Sequence, residues 1–363
     1  MSGIRVLISD LPLPFEGIGS WTNEVNFFLE RNKGFFDFII SPNQIVGSKT
    51  NIFARKRSWI PGLNKFRNQL LVKWVAKDYI QAIEKLVKEN RPIQLVVIDD
   101  KTLLEAISLY KNQLPAGSTL IFYFHGHLLQ MSSAIQSKVD LVLFLTKIGY
   151  KESFLSNLQF TPEVKVIGNG VSSGIFYPLT KSQKKEYKEQ LGFQPEDKFI
   201  CWMANSRPVK GIHLFGKMIP KLLSIDPSLK IITIGHEPIK DWESDSVFQL
   251  GKLNPSDLAK YLQVSDFYFF TSLWKEGFGL SLVEAIKCGN YILCSETGGI
   301  PEVVGSISRV RTIENPNIIE NWIDKFEEIF LSGEYLKESD SIDHLEELYS
   351  LESWENRFKN ALL

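Results

Sequence analysis

The sequence predicts an α/β chain of two domains, each built on a parallel sheet. Three observations carry this expectation. Short, continuous apolar runs alternate with stretches of helical spacing, as buried parallel strands and their crossover helices do. The alternation starts at Ile4 and starts afresh near Phe199. A length of 363 residues gives room for two domains of about 150 residues or more.

In the first half, Ile4–Ser9 reads as the opening strand. A loop rich in Pro and Gly follows to Gly19, and Ser20 caps a helix through Leu29. Asp37–Ile40, Leu95–Asp99, Leu120–Phe124 and Leu141–Thr146 are the next apolar strands. Gln69 to Asn90 has amphipathic helical spacing, and a helix from Lys147 to Leu158 follows the fourth of these runs. Between them, Phe53 to Arg67 interleaves basic residues with Phe, Trp, Ile and Leu. That mixture suits an anionic membrane surface or an anionic acceptor; a solvated loop is the plainer alternative. The strand ending at Phe124 runs into His125-Gly126-His127. A His there points at the crevice of a parallel sheet, although either imidazole can be purely structural.

The second half repeats the scheme. Lys181 to Gly192 is polar and helical, and Phe199–Ala204 opens a new sheet. The loop Asn205 to Gly211 leads into a helix from Ile212 to Ser224. Lys230–Gly235 is a strand, Val247–Leu253 follows it, and Leu258–Leu262 is a small helix. Phe267–Phe270 is the central buried strand. Leu280 to Cys288 has helical spacing and stops at Gly289-Asn290. Tyr291–Cys294, the turn Thr297-Gly298-Gly299 and a helix start at Ile300-Pro301 form one further unit. Helices from Asn317 to Phe330 and from Ser353 onward close the chain.

The chemistry is concentrated in Glu276-Gly277-Phe278-Gly279 and Glu284. The first four residues form a strand-to-helix turn whose glycines let the backbone approach a ligand. Two adjacent helix N-termini, at Leu280 and Ile300, favour an anion. A carboxylate beside a phosphate cannot be its ligand, so Glu276 and Glu284 suit sugar hydroxyls, which donate hydrogen bonds. A pair of carboxylates that merely complement the helix dipole is the plainer alternative.

With Ala285, Gly298, Gly299, Pro301 and Glu302 around it, this pattern is similar to the E-G-F-G-x-x-x-x-E-A signature of retaining glycosyltransferases of family 4. The segment from Val164 to Pro178 resembles the family's interdomain V-I-x-N-G-V…F-x-P. The resemblance is thin before Phe122. It implies the GT-B fold, with two facing Rossmann-like domains: 1–170 for the acceptor, 171–345 for the donor, and a C-terminal crossover helix in 346–363. It implies that Gly17 and Gly19 approach donor phosphates and acceptor, and that His125 contacts the donor sugar or acceptor. Arg207 and Lys210 would hold the donor diphosphate, at a spacing shorter than the family's usual one. Lys252 and Leu253 would bracket the base, with Gly277, Phe278, Gly279 and Leu280 lining the phosphates. Glu284 would accept from the ribose and Glu276 from the donor sugar. The implied activity is metal-independent, retaining transfer of a hexosyl-type group (EC 2.4) from a UDP- or GDP-linked sugar, with no further cofactor. The acceptor by analogy is a cell-envelope polysaccharide or a lipid-linked sugar.

Composition narrows the alternatives. A formal net charge of −1 argues against a general nucleic-acid binder. Cys201, Cys288 and Cys294 have no metal-ligand spacing and read as reduced core residues of a cytosolic protein. No signal peptide precedes the first strand, so membrane contact is expected to be peripheral. No Asp-x-Asp triplet is available to hold a metal. No G-x-G-x-x-G follows the first strand, which disfavours a dinucleotide-dependent oxidoreductase. A phosphorylase of the same fold would need pyridoxal phosphate and usually a much longer chain. The remaining rival is an inactive sugar-nucleotide-binding subunit that partners a related enzyme.

Overall fold

The computed structural model describes residues 3–14, 20–45, 47–58, 69–157, 159–305, 307–337, 344 and 347–363. The chain forms two compact units, Met1–Gly168 with Arg357–Leu363, and Asn169–Asn356. The sequence reading placed 346–356 with the terminal segment; these residues belong to the second unit. The last helix, Leu351–Leu362, therefore starts in the second unit and ends in the first.

The first unit holds a seven-stranded sheet in the order β3-β2-β1-β4-β5-β6-β7. Its strands are β1 Ile4–Ile8, β2 Phe38–Ser41, β3 Asn51–Phe53, β4 Ile93–Ile98, β5 Thr119–Tyr123, β6 Leu141–Phe144 and β7 Glu163–Val166. Every pairing is parallel, with Ile4 opposite Ile93 and Gln94 opposite Thr119. Period-2 alternation gives one face Val6, Ile8, Leu95, Val97, Phe122 and Phe144, packed with Tyr79, Ile83 and Ile107. The helical stretch read as continuous from Gln69 breaks at Ala76 into Gln69–Val75 and Lys77–Val87. The sequence reading did not include the edge strands β3 and β7, the helix Lys101–Tyr110 or the short helix Ser133–Gln136.

The second unit holds a six-stranded parallel sheet, β10-β9-β8-β11-β12-β13. Its strands are β8 Lys198–Met203, β9 Leu229–Ile234, β10 Val247–Gln249, β11 Phe267–Phe270, β12 Tyr291–Ser295 and β13 Val310–Ile313. One face packs Trp202, Ile231, Phe269 and Leu293 against Phe215, Met218, Trp322 and Phe326. These come from the helices Ile212–Ile225 and Ile319–Leu331. All three cysteines are buried free thiols.

In both sheets the strand order reverses beside the first strand of the unit, between β1 and β4 and between β8 and β11. Open α/β sheets bind ligands beyond the carboxyl ends of the strands at such a reversal. The sequence puts the loops with Asp10 and Asp99 at the first reversal, and those with Arg207 and Glu276 at the second.

Candidate functional site

In the second unit the loops after β8 and β11 are stitched together. The Leu273 N–H donates to Val209 O at 2.7 Å. The Thr271 hydroxyl donates to Lys210 O at 3.0 Å and accepts from the buried Trp202 indole at 2.8 Å. Contact this close needs Gly211: its φ is +77°, and a Cβ there would stand 2.1 Å from Thr271 O. The result carries Lys210 to Glu276, with Nζ 2.5 Å from Oε1. Ser272 donates to the same oxygen at 2.5 Å. Glu276 and Lys210 are both half-buried, so the pair is weakly screened by water.

The turn after β12 is laced to the same loop. The Gly299 N–H donates to Glu276 O at 2.8 Å, and Ser295 Oγ to Ser272 O at 2.5 Å. Gly298 lies so near that a Cβ would meet Glu276 O at 2.4 Å, with φ at +60°. Gly277 and Phe278 are buried, and Phe278 packs edge-on to Tyr349 with centroids 5.1 Å apart. Gly279 precedes the helix Leu280–Lys287, in which Glu284 sits just beyond the first turn. Burial pushes the Glu284 carboxyl up to about 7. Burial above all, with the nearby charges of Glu284 and Glu276 among the lesser causes, holds the Tyr268 hydroxyl well above its ordinary value. At the other end of the helix, Lys287 is wholly buried and donates to Ser173 Oγ and Leu348 O, both at 2.9 Å.

Arg207 and Lys252 are exposed. No ion pair joins Arg207 to a carboxylate among the described residues. Leu253 is half-buried in the loop after β10. The Gly235 N–H donates to Gly251 O at 2.7 Å, which holds that loop beside the end of β9. The unit thus gathers Arg207, Lys210, Glu276, Glu284 and the turn at Gly279 along one sheet edge.

The first unit carries a separate cluster. Lys56 lies 2.8 Å from Asp10 and also bonds Asp100. Asp100 caps the helix Lys101–Tyr110 by accepting the Leu103 N–H at 2.7 Å. Asp99 has φ +52°, the left-handed region, and accepts the His125 backbone N–H at 2.9 Å. Burial raises the Asp99 carboxyl to about 6. His125 stacks on Trp21 at 5.0 Å and 27°, and lies 4.0 Å from the Tyr123 ring. Burial pushes its imidazole down to about 3, so it is neutral near pH 7, and among the described residues neither ring nitrogen has a partner at hydrogen-bond geometry. A neutral imidazole there can contact a hydroxyl. His127 lies elsewhere, with Nε2 3.2 Å from Glu152. Gly17 and Gly19 fall outside the described residues. Among the described residues no cluster of three metal-ligating side chains occurs.

Several residues in these clusters were not expected. Ser272 stands four residues before Glu276, directly after the buried strand, and that position is a readable signal. Asp99 and Trp21 had none, because strain at one residue and stacking across a loop have no periodicity.

Residues 183–341 match the model of the family Glycosyl transferases group 1, a span that includes Arg207, Lys210, Glu276 and Glu284. An uncharacterized glycosyltransferase of Methanocaldococcus jannaschii is 26% identical over 56% of this chain and 54% of its own. A GDP-mannose-dependent monoacylated alpha-(1-6)-phosphatidylinositol monomannoside mannosyltransferase of Corynebacterium glutamicum is 23% identical over 52% of this chain and 55% of its own. The chain thus spans about half the length of these relatives. Among solved structures, Anabaena HepE in complex with UDP and glucose aligns with a TM-score of 0.72 at 13% identity, covering 99% of both chains. The fold is GT-B, with a parallel-sheet α/β domain in each unit.

Proposed function

We propose that this chain is a retaining glycosyltransferase that moves a sugar from a nucleotide-diphosphate sugar to a hydroxyl acceptor. The observation that carries the reading is the Lys210–Glu276–Ser272 constellation at the strand-order reversal of the second unit. It pairs a cation suited to a diphosphate with a carboxylate suited to sugar hydroxyls. The free helix N–H groups beginning at Leu280 and the exposed Arg207 add to the positive side. Glu284 accepts from the ribose, and Lys252 and Leu253 flank the base. Bound donor competes for Lys210, so its ion pair with Glu276 loosens and Glu276 turns to the sugar.

In this reading the bond from the anomeric carbon to the leaving phosphate oxygen breaks. The acceptor oxygen bonds to that carbon on the same face, and its proton passes to the leaving phosphate. Arg207 and Lys210 stabilise the charge that grows on the diphosphate, and a metal is not required. The acceptor class we favour is a lipid-linked or polysaccharide sugar, at the membrane or in the cytosol.

A panel of UDP- and GDP-sugars in a thermal-shift assay identifies the donor, because a ligand of the native state raises its stability by mass action. Turnover of that donor by the chain alone, unchanged by chelator, is the expected result. Binding without turnover would point to the inactive partner subunit instead, and turnover lost to chelator would overturn metal independence.

A further inference from the structure

The first unit carries an exposed face that the transfer chemistry does not use. The helices Gln69–Val75 and Lys77–Val87 bury Leu71, Val72, Val75, Tyr79 and Ile83 on their inner side. Their outer side is apolar and cationic. Leu70 is 79% exposed and Trp74 38%. Lys73 and Lys77 are exposed one turn apart, with Lys85 and Glu84 exposed further along. Arg55 is exposed in the neighbouring segment, which the Arg57 N–H ties to Val75 O at 2.9 Å. The Arg57 guanidinium lies 5.7 Å from the Trp74 ring centroid and pairs with Asp78 at 2.9 Å, so the indole is held in place. Beside it opens a groove of about 380 Å³, whose lining includes Lys73, Lys77, Trp74, Tyr110, Ile80 and Glu84.

The chain as a whole has a formal net charge of −1, so this group of cations is a local feature. Exposed Leu and Trp beside lysines is the surface chemistry of the boundary between headgroups and acyl chains. The Phe53–Arg67 stretch singled out in the sequence lies partly outside the described residues, in 59–68, and the helix face does not depend on it.

We propose that this face docks on an anionic bilayer. Leu70 and Trp74 enter the headgroup boundary, and Lys73 and Lys77 meet lipid phosphates. The proposal stands independently of the donor-site reading.

Vesicle flotation of the full chain tests it, with phosphatidylcholine alone or mixed with phosphatidylglycerol. Binding to the mixed vesicles only, weakened by salt, is expected. The double variant Lys73→Ser/Lys77→Ser should lower partitioning roughly tenfold or more. Leu70→Ser/Trp74→Ser should weaken it while leaving the salt dependence in place. Circular dichroism and urea unfolding of the same samples show that the variants remain folded. Equal binding to neutral vesicles, parental partitioning by either variant, or no binding at all would overturn the proposal. Concentration-dependent self-association abolished by Leu70→Ser would assign the face to a second copy, and likewise overturn it.

Discussion

The carboxyl edges of the two sheets share a topology and differ in chemistry. Beyond β8 and β11, an exposed Arg207 and a glycine-lined turn surround one lysine–carboxylate pair. Beyond β1 and β4, Asp10 and Asp100 hold one lysine, Asp99 accepts from the His125 backbone, and the neutral imidazole of His125 stacks on an indole. The first edge is arranged for an anion, the second for groups that donate hydrogen bonds. The sheets supply position, and the loops decide what is bound.

The largest effects should come from the donor edge. If Arg207 faces the diphosphate as proposed, Arg207→Ala removes a cation beside it, so nucleotide-diphosphate affinity and turnover should both fall. Glu276→Gln should lower turnover about ten- to a hundredfold, the worth of roughly 1.5–3 kcal/mol for a charge-assisted hydrogen bond. It should leave diphosphate affinity unchanged or higher, because Lys210 is released from its ion pair. Calorimetry with the diphosphate, alongside a transfer assay, separates the two variants. The comparison breaks if Glu276→Gln abolishes diphosphate binding, or if Lys56→Ala at the aspartate edge weakens it as much as Arg207→Ala.

A smaller effect concerns stability. Glu284 has a folded pKa near 7 against an ordinary 4.5, caused by burial. The fold therefore disfavours its charge, at a cost absent below pH 4.5 that grows between pH 4.5 and 7 and is constant above. Glu284→Gln should stabilise the protein by about 1–3 kcal/mol at pH 8, allowing for its partial exposure, and hardly at all at pH 4. Urea unfolding at the two pH values measures this. Equal effects at both would show that the carboxyl is not held neutral.

The smallest expected effect belongs to the aspartate edge. His125 titrates near 3 when folded against about 6.5 unfolded. The stability it contributes above pH 6.5 is lost on acidification toward 3. Asp99, raised to about 6, works the other way, since stability returns as pH falls from 6 toward 4. The two slopes oppose each other in the parent. In His125→Phe only the Asp99 slope remains, so acidifying from pH 6 to 5 should stabilise the variant relative to the parent by about 1 kcal/mol. An unchanged pH profile would mean that His125 takes up a proton in the fold.

The contrast between the edges also explains what was readable in advance. Most of the central strands and the donor turn were legible, because Phe267–Phe270 is a continuous apolar run and Glu276–Gly279 a strand-to-helix turn with its own residue chemistry. The break at Ala76 was not, since Gln69 to Asn90 keeps its apolar spacing straight through it. β3 is three residues at a sheet edge, too short to show a period. The aspartate edge was opaque for another reason. Asp99 and Asp100 simply follow an apolar run, and nothing local shows that one is strained against His125 while the other caps a helix and binds Lys56.

The terminal helix imposes an order on synthesis. Phe358 packs against Phe28 and Tyr123 with ring centroids 5.0 and 5.3 Å apart, so it fills the interior of the first unit. That unit is interrupted in sequence by residues 169–356. A ribosome adding about 5–20 residues per second needs roughly ten to forty seconds to make the intervening stretch. Throughout that interval the nascent first unit exposes an aromatic gap, while the second unit, continuous in sequence, can mature on its own. Chaperone occupancy on translating ribosomes should therefore persist on the first unit until Phe358 has emerged.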